Sequence, residues 1–443
     1  MLMSERLDWI GQARGPLRGN VRVPGDKSIS HRALMLAALA QGSSRISGFL
    51  EGEDTRATAR ILQQLGVRIA TPSAGERVID GVGLHGLRAS AQPLDCGNAG
   101  TGMRLLAGLL AGQDFDSVLI GDASLSQRPM QRVIEPLTAL GARIDSSDGR
   151  PPLHIHGGAP LHARALRPAV ASAQVKSAIL LAGLYAKGVT RVDEAQPTRD
   201  YTERMLQAFG WPVEFGPGWA ALPGRQSLHA CDVQVPGDFS SAAFFMVAAT
   251  VVPGSELLLQ DVGINPRRIG LIEVLRAMGA DIRIEAPRQH GGEPTADLRV
   301  RHANLRGIEV PRDHVADMID EFPILFVAAA CATGVTRVRG AAELRVKESD
   351  RIAVMAGGLR ALGVDVRETP DGALIHGGRL RGGAVDSHGD HRCAMSFAVA
   401  ALRAGAPVRI ADCANVATSF PGFEALARGV GFDLHVDTQA QMA

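Results

Sequence analysis

Apolar positions recur in two alternating ways along this 443-residue chain. One kind is a run of small and aliphatic residues that ends at a glycine and passes into a short β-branched segment, as in ALMLAALAQG, MRLLAGLLAG and FPILFVAAACATG. Six such runs end at Gly42, Gly112, Gly188, Gly254, Gly334 and Gly405, spaced 66 to 80 residues apart. Between them lies a Leu-rich turn that reaches glycine and then an alternating segment: ILQQLGVRI, PLTALGARI, MLQAFGWPV, VLRAMGADI, GLRALGVDV and, less cleanly, ALARGVGFDL. The pattern predicts a sixfold repeat of helix, glycine, strand, second helix, glycine, strand, with further β segments closing each unit. Each glycine is expected to stop its helix in the left-handed conformation. The first helix of a unit, as over Ala33 to Ala40, Ala178 to Ala182 and Ala242 to Ala249, is apolar all round and is expected to be buried. The second, as over Asp54 to Leu65, is amphipathic and should lie partly outside.

The length exceeds one ordinary core, so six units divide naturally into two domains of three. The boundary falls near Val235, Pro236 and Gly237, and the segment before Pro24 can pair with either domain. Three buried helices running roughly parallel would bring three N-termini to one face. Their unpaired N–H groups and partial positive charge make such a face an anion site. Two such faces opposed across a cleft would surround an anionic substrate.

Composition narrows the class. The apolar share is 46%, and no stretch of about 18 apolar residues occurs, so a globular rather than a membrane protein is expected. The start, MLMSERLDWIGQARG, lacks the apolar core of a secretory signal. Five scattered cysteines, Cys96, Cys231, Cys331, Cys393 and Cys413, fit a reduced cytosolic compartment and argue against structural zinc. A formal net charge of +1 excludes a strongly basic nucleic-acid-binding chain.

Chemistry-bearing residues cluster at the starts of the buried helices. PGDKSISHR puts Lys27, Ser28 and Arg32 at the mouth of the first, where an ammonium, a hydroxyl and a guanidinium can bind two anionic groups. It is not a P-loop, because Asp26 stands where that motif needs glycine. DCGNAGTGMR opens the second buried helix with glycines at 97, 100 and 102, the wrong order for a dinucleotide fingerprint but suited to backbone approach to a phosphate or carboxylate. Arg128 and Arg199 are single arginines in loop-like contexts, which taken alone read as solvated. In ASAQVKSA, Ser172, Gln174 and Lys176 again place polar groups at a buried helix start. The second half supplies acids: Asp317, Asp320 and Glu321 at i, i+3 and i+4 are expected to share one helical face, and Glu348 lies between Lys347 and Arg351, as in a tuned proton carrier. DSHGDHRCAM places His388, Asp390, His391 and Arg392 before the sixth buried helix, without a convincing third metal ligand.

PGDKSISHRA, GNAGTGMR, GDASLSQRPM, SAQVKSA, RVKESDR and DHRCAM, in this order from about Arg22 to Phe423, resemble the 5-enolpyruvylshikimate-3-phosphate synthase family. The resemblance implies an α/β enolpyruvyl transferase fold of two domains, each of three βαβαββ repeats around buried parallel helices. It implies domains at 22–236 and at 1–21 plus 237–443, the active site in the cleft between them, and two hinge crossings near residues 21 and 237. The implied reaction moves the enolpyruvyl group of phosphoenolpyruvate to the 5-hydroxyl of shikimate 3-phosphate and releases phosphate, with no metal or organic cofactor. Carried over by position, Lys27, Ser28, Arg32, Ser172, Gln174, Arg199, Asp320 and Lys347 hold shikimate 3-phosphate. Lys27, Gly100, Arg128, Gln174, Arg351 and Arg392 surround phosphoenolpyruvate. Asp320 and Glu348 are the implied base and acid, with Lys27 a rival for part of the proton transfer.

Two departures and several expectations follow. ATSFPGF carries Thr418 where many members have Lys, which leaves one anion contact unassigned. Gly100 stands where glyphosate-tolerant members of the subgroup carry Ala, so glyphosate is expected to inhibit. The chain is expected to act as a cytoplasmic monomer, without nucleic acid or membrane as partner. Two alternatives stay open. UDP-N-acetylglucosamine enolpyruvyl transferase shares the fold but needs a reactive cysteine, and Cys96 is expected to pack instead. A non-enzymatic DNA-encircling clamp needs basic inner helices, which are absent here.

Overall fold

The computed structural model describes residues 7–290 and 292–437. They form two compact units. The first comprises Gly25–Pro236 and Gln289–Glu293. The second comprises the residues up to Pro24, Gly237–Arg288 and Pro294 onward. Each unit has its own apolar core.

Twelve α-helices alternate between the two predicted kinds among the described residues. The first kind comprises α1 (Lys27–Leu39), α3 (Gly100–Leu110), α5 (Ala173–Gly183), α7 (Phe239–Val251), α9 (Phe322–Ala330) and α11 (His391–Ala401). The second kind comprises α2 (Glu53–Gln64), α4 (Gln131–Ala139), α6 (Tyr201–Ala208), α8 (Gly270–Met278), α10 (Arg351–Ala361) and α12 (Phe423–Gly429). All thirteen residues of α7 are buried, as are all nine of α9, because small and aliphatic side chains leave no polar face to solvate. In the first unit, α3 and α5 pack so closely that a Cβ on Gly108 would lie 2.2 Å from the carbonyl oxygen of Ala178. Gln174 bonds Thr101 at their first turns, and Gly112 meets the Tyr185 ring at their last. The two helices therefore run parallel.

The three sheets of the first unit share one plan. The strand after each buried helix (Ala40–Ser47, Ser117–Ile120, Val189–Asp193) pairs antiparallel with the last strand of its repeat (Arg77–Val82, Arg150–His156, Trp219–Pro223). That strand pairs antiparallel with the one after the second helix (Arg68–Ala70, Arg143–Ser147, Glu214–Gly216). Short strands preceding α3 and α5, Leu94–Asp95 and Ala165–Leu166, add in parallel. In the first sheet that place is filled from the far end of the unit, by Leu228–His229 and Val233–Gln234.

The second unit uses the segment before Pro24 to complete itself. Trp9–Gln12 lies between Val408–Ala411 and Asp433–Val436, antiparallel to both, and Arg18–Val21 adds in parallel to Glu256–Gly263. The N-terminal segment, ambiguous in sequence, is thus a structural part of this unit.

The glycine expectation needs correction. The second set of glycines, Gly66, Gly141, Gly210, Gly279, Gly363 and Gly431, all have positive φ, but in the first set only Gly42, Gly188, Gly254 and Gly334 do. Gly112 is required for closeness instead, since a Cβ there would lie 2.2 Å from the Tyr185 ring.

Candidate active site

In the first unit the starts of α1, α3 and α5 carry the predicted residues. Asp26 caps α1 by accepting the Ile29 N–H at 2.9 Å. Lys27 follows it, its Nζ 3.0 Å from Asp54 Oδ2 on α2. Arg32 is 4% exposed. It donates from Nε to Thr202 Oγ1 (2.7 Å), from one terminal nitrogen to the Ser28 carbonyl (2.8 Å) and from the other to Ser177 Oγ (2.8 Å). Burial and then the neighbouring Arg199 guanidinium lower its pKa from 12.5 to about 10. Arg199 thus lies close enough to Arg32 to act on it, just before α6.

Gly100, Arg104, Arg128 and Gln174 form an adjoining group. Gln174 donates to Thr101 Oγ1 at 2.8 Å and accepts from Arg104 at 2.7 Å. Arg128 donates to Asn98 Oδ1 at 2.5 Å. A Cβ on Gly100 would lie 2.9 Å from the Arg128 guanidinium and 3.2 Å from that of Arg104. Ser172 caps α5 through the Val175 N–H. Lys176 is not available to a ligand: its Nζ lies 2.9 Å from both Glu194 and Glu203, all three buried side chains. Burial works against its charge, but the two glutamates outweigh it and raise its pKa.

In the second unit the acids and three cations gather before α9, α10 and α11. Asp320 lies 3.4 Å from Arg351 and 3.6 Å from Lys347. Arg351, 1% exposed, also meets Glu348 at 2.5 Å and Asp390 at 2.8 Å. Burial opposes its charge, and Asp390, Glu348 and Asp320 together raise its pKa above the ordinary arginine value. Burial lowers that of Lys347, in spite of Asp320. Arg392 donates to the Asp320 carbonyl at 3.3 Å and lies 3.7 Å from Glu321.

The expected single face of acids is not formed. Residues Ala316–Glu321 make a 3-10 segment broken at Met318 (φ −135°), so the three carboxylates part. Asp317 turns to Arg267 at 3.8 Å and Glu321 to Arg268 at 2.7 Å. Only Asp320 stays with Lys347 and Arg351. Nor do Lys347 and Arg351 share a helix: α10 starts at Arg351, and Lys347 precedes it in extended backbone.

Two contributors, Asp54 and Arg104, were not singled out in the sequence, and Asp390 was noted without its tie to Arg351. Asp54 holds Lys27, Arg104 holds Gln174, and Asp390 caps α11 while seating Arg351. Arg104 was legible as the cation closing GNAGTGMR. The pairings of Asp54 with Lys27 and of Asp390 with Arg351 carry no local signal, since the partners lie 27 and 39 residues away. No group of three or more His, Cys, Asp or Glu suited to a metal occurs among the described residues. Cys96 is 1% exposed, and burial raises its pKa strongly, the setting of a packed thiol rather than a reactive one.

Residues 12–426 match the family model of EPSP synthase (3-phosphoshikimate 1-carboxyvinyltransferase). The 3-phosphoshikimate 1-carboxyvinyltransferase of Xanthomonas euvesicatoria pv. vesicatoria (strain 85-10) is 64% identical over 427 residues, 96% of this chain and 97% of that protein. A solved structure of EPSP synthase from Acinetobacter baumannii superposes with a TM-score of 0.88 at 50% identity, covering 98% of this chain and 100% of that one. The enolpyruvyl transferase NikO from Streptomyces tendae shares the fold, with a TM-score of 0.80 at 19% identity over 98% of this chain and 99% of its own.

Proposed function

From the premise that the chain belongs to the EPSP synthase family, we infer that it transfers the enolpyruvyl group of phosphoenolpyruvate to the 5-hydroxyl of shikimate 3-phosphate, releasing phosphate. It is a transferase of aromatic amino acid biosynthesis. The observation behind the residue-level reading is the division of chemistry between the two units: in the first, Arg32 is held by neutral oxygens and Lys27 lies beside Asp54, and in the second, carboxylates are interleaved with Lys347 and Arg351.

The reaction asks for that division. The methylene carbon of phosphoenolpyruvate must gain a proton while C2 becomes cationic and is attacked by the hydroxyl. The resulting tetrahedral adduct then loses a methyl proton and phosphate. Such a path needs an acid, a base and dense positive charge around phosphate and carboxylate. In this reading Lys27, Ser28, Arg32, Ser172, Gln174 and Arg199 hold shikimate 3-phosphate, with Lys347. Gly100, Arg128, Gln174, Arg351, Arg392 and Lys27 hold phosphoenolpyruvate. Asp320 takes the hydroxyl proton, helped into position by Lys347. Glu348 is engaged by Arg351 before substrate arrives. An incoming carboxylate that draws Arg351 away frees Glu348 to carry a proton to the methylene. Lys27 is the competing donor, its Nζ 3.0 Å from the Asp54 carboxylate.

Glyphosate is proposed to inhibit, because Gly100 leaves open the space that a methyl would take beside Arg128. The enzyme is further proposed to act as a monomer in the cytoplasm. A competition reaction tests the substrate assignment: phosphoenolpyruvate is offered with shikimate 3-phosphate and UDP-N-acetylglucosamine together, and products are read by mass. Enolpyruvyl product on shikimate 3-phosphate alone is expected, whereas product on the sugar nucleotide would overturn it.

A further inference from the structure

Two buried guanidiniums stand in opposite electrostatic seats. Arg351 in the second unit is ringed by carboxylates of Asp390, Glu348 and Asp320 at 2.5 to 3.4 Å. Arg32 in the first unit, buried almost as completely, makes every one of its side-chain hydrogen bonds to a neutral oxygen. Its seat is a pair of hydroxyls whose own protons are already committed. Thr202 Oγ1 donates to Ser177 Oγ at 2.7 Å, and Ser177 Oγ donates to the Ala173 carbonyl at 2.6 Å. Both hydroxyl oxygens are thereby left with lone pairs toward Arg32, as acceptors only. Three of the five guanidinium N–H bonds are used in this way, which leaves one hydrogen on each terminal nitrogen for a bidentate anion.

We propose that Thr202 and Ser177 are positioning residues for shikimate 3-phosphate binding: their hydroxyl pair fixes the Arg32 fork without neutralising it, so that its charge is kept for the substrate's anionic group. Neither residue touches substrate in this account; both act through Arg32. A carboxylate in the same place would grip the guanidinium more firmly but spend its charge. Arg199 adds a second cation near the first, and the nearest acids are otherwise engaged, Glu203 with Lys176 and Asp26 with the start of α1. The Lys176 cluster has its own part in this arrangement. By pairing with Glu194 and Glu203, it ties α5 to the start of α6 and so holds Ser177 and Thr202 together. The inference rests on the assignment of shikimate 3-phosphate as a substrate.

The test uses the full-length enzyme and calorimetric binding of shikimate 3-phosphate, with steady-state kinetics alongside. Thr202→Val removes the hydroxyl while keeping the branched shape. It is expected to weaken shikimate 3-phosphate binding about tenfold, with the loss in KM for that substrate and not in KM for phosphoenolpyruvate. Thr202→Ser restores the hydroxyl and is expected to bind within about twofold of wild type. Ser177→Asp supplies a charged seat. Where it folds, as judged by thermal melting, it is expected to bind at least tenfold more weakly although its contact with Arg32 is stronger. Equal affinity in Thr202→Val and wild type, or a loss confined to phosphoenolpyruvate, would overturn the proposal. So would failure of Thr202→Ser to rescue. Wild-type protein that binds no shikimate 3-phosphate would instead overturn the substrate assignment itself.

Discussion

His31 makes the stability of the first unit depend on pH in a way that can be isolated. It lies on α1 between Lys27 and Arg32 and is 0% exposed. Its Nδ1 is 2.8 Å from Thr58 Oγ1, and its Nε2 has no hydrogen-bond partner. Burial first, and then the charges of Lys27 and Arg32, lower its pKa from 6.5 to about 3. The neutral ring is therefore the native form. Between pH 6.5 and about 3 the unfolded chain binds a proton that the folded chain refuses, so stability falls on acidification. The slope is about 1.4 kcal/mol per pH unit, which gives about 2 kcal/mol between pH 6.5 and 5. Above pH 6.5 the contribution is complete and constant. His31→Asn keeps a polar group for Thr58 and cannot titrate. Urea unfolding of both proteins, followed by fluorescence of Trp211 and Trp219 in the first unit, cancels the other titrating groups in the difference. The wild-type advantage over the variant is expected to shrink by about 2 kcal/mol from pH 6.5 to 5. Parallel stability curves across that range would refute the claim that the ring is held neutral.

Two further predictions concern the anion sites. Gly100→Ala places a methyl 2.9 Å from the end of the Arg128 side chain, which can shift because it is flexible. The variant is expected to raise the glyphosate concentration for half-inhibition by at least tenfold, with some rise in KM for phosphoenolpyruvate, and an unchanged inhibition curve would contradict it. Arg128→Ala and Arg392→Ala each remove charge-assisted contacts worth about 1.5 to 3 kcal/mol. A loss of about tenfold to a hundredfold in kcat/KM for phosphoenolpyruvate is expected, and normal activity in both variants would sink their assignment.

What the sequence displayed well were features with local or periodic signatures. The buried helices were visible because small aliphatic runs have no polar face, and Lys27, Ser28 and Arg32 because two cations at a buried helix start need a reason. The acids near Asp320 were misread because a 3.6-residue period was assumed where a broken 3-10 segment stands. That break sends Glu321 to Arg268 and leaves Asp320 with Lys347 and Arg351. The parts played by Asp54, Asp390, Ser177 and Thr202 stayed hidden because their work is done on partners 27 to 170 residues away. Nothing in a single string sets those pairings. A repeat that was in plain view also went unread: Val-Pro-Gly-Asp occurs at Val23–Asp26 and again at Val235–Asp238, and each aspartate caps the first buried helix that follows.

In the proposed mechanism, enolpyruvyl transfer proceeds by protonation of the methylene and loss of phosphate from a tetrahedral adduct on shikimate 3-phosphate. Turnover of phosphoenolpyruvate and shikimate 3-phosphate in D2O, with the product read by mass spectrometry, tests this most directly. The transient methyl group of the adduct gives up one of its three hydrogens on elimination, so the account predicts an enolpyruvyl product carrying deuterium in its methylene. A product with an unlabelled methylene, or no product on shikimate 3-phosphate at all, would contradict it.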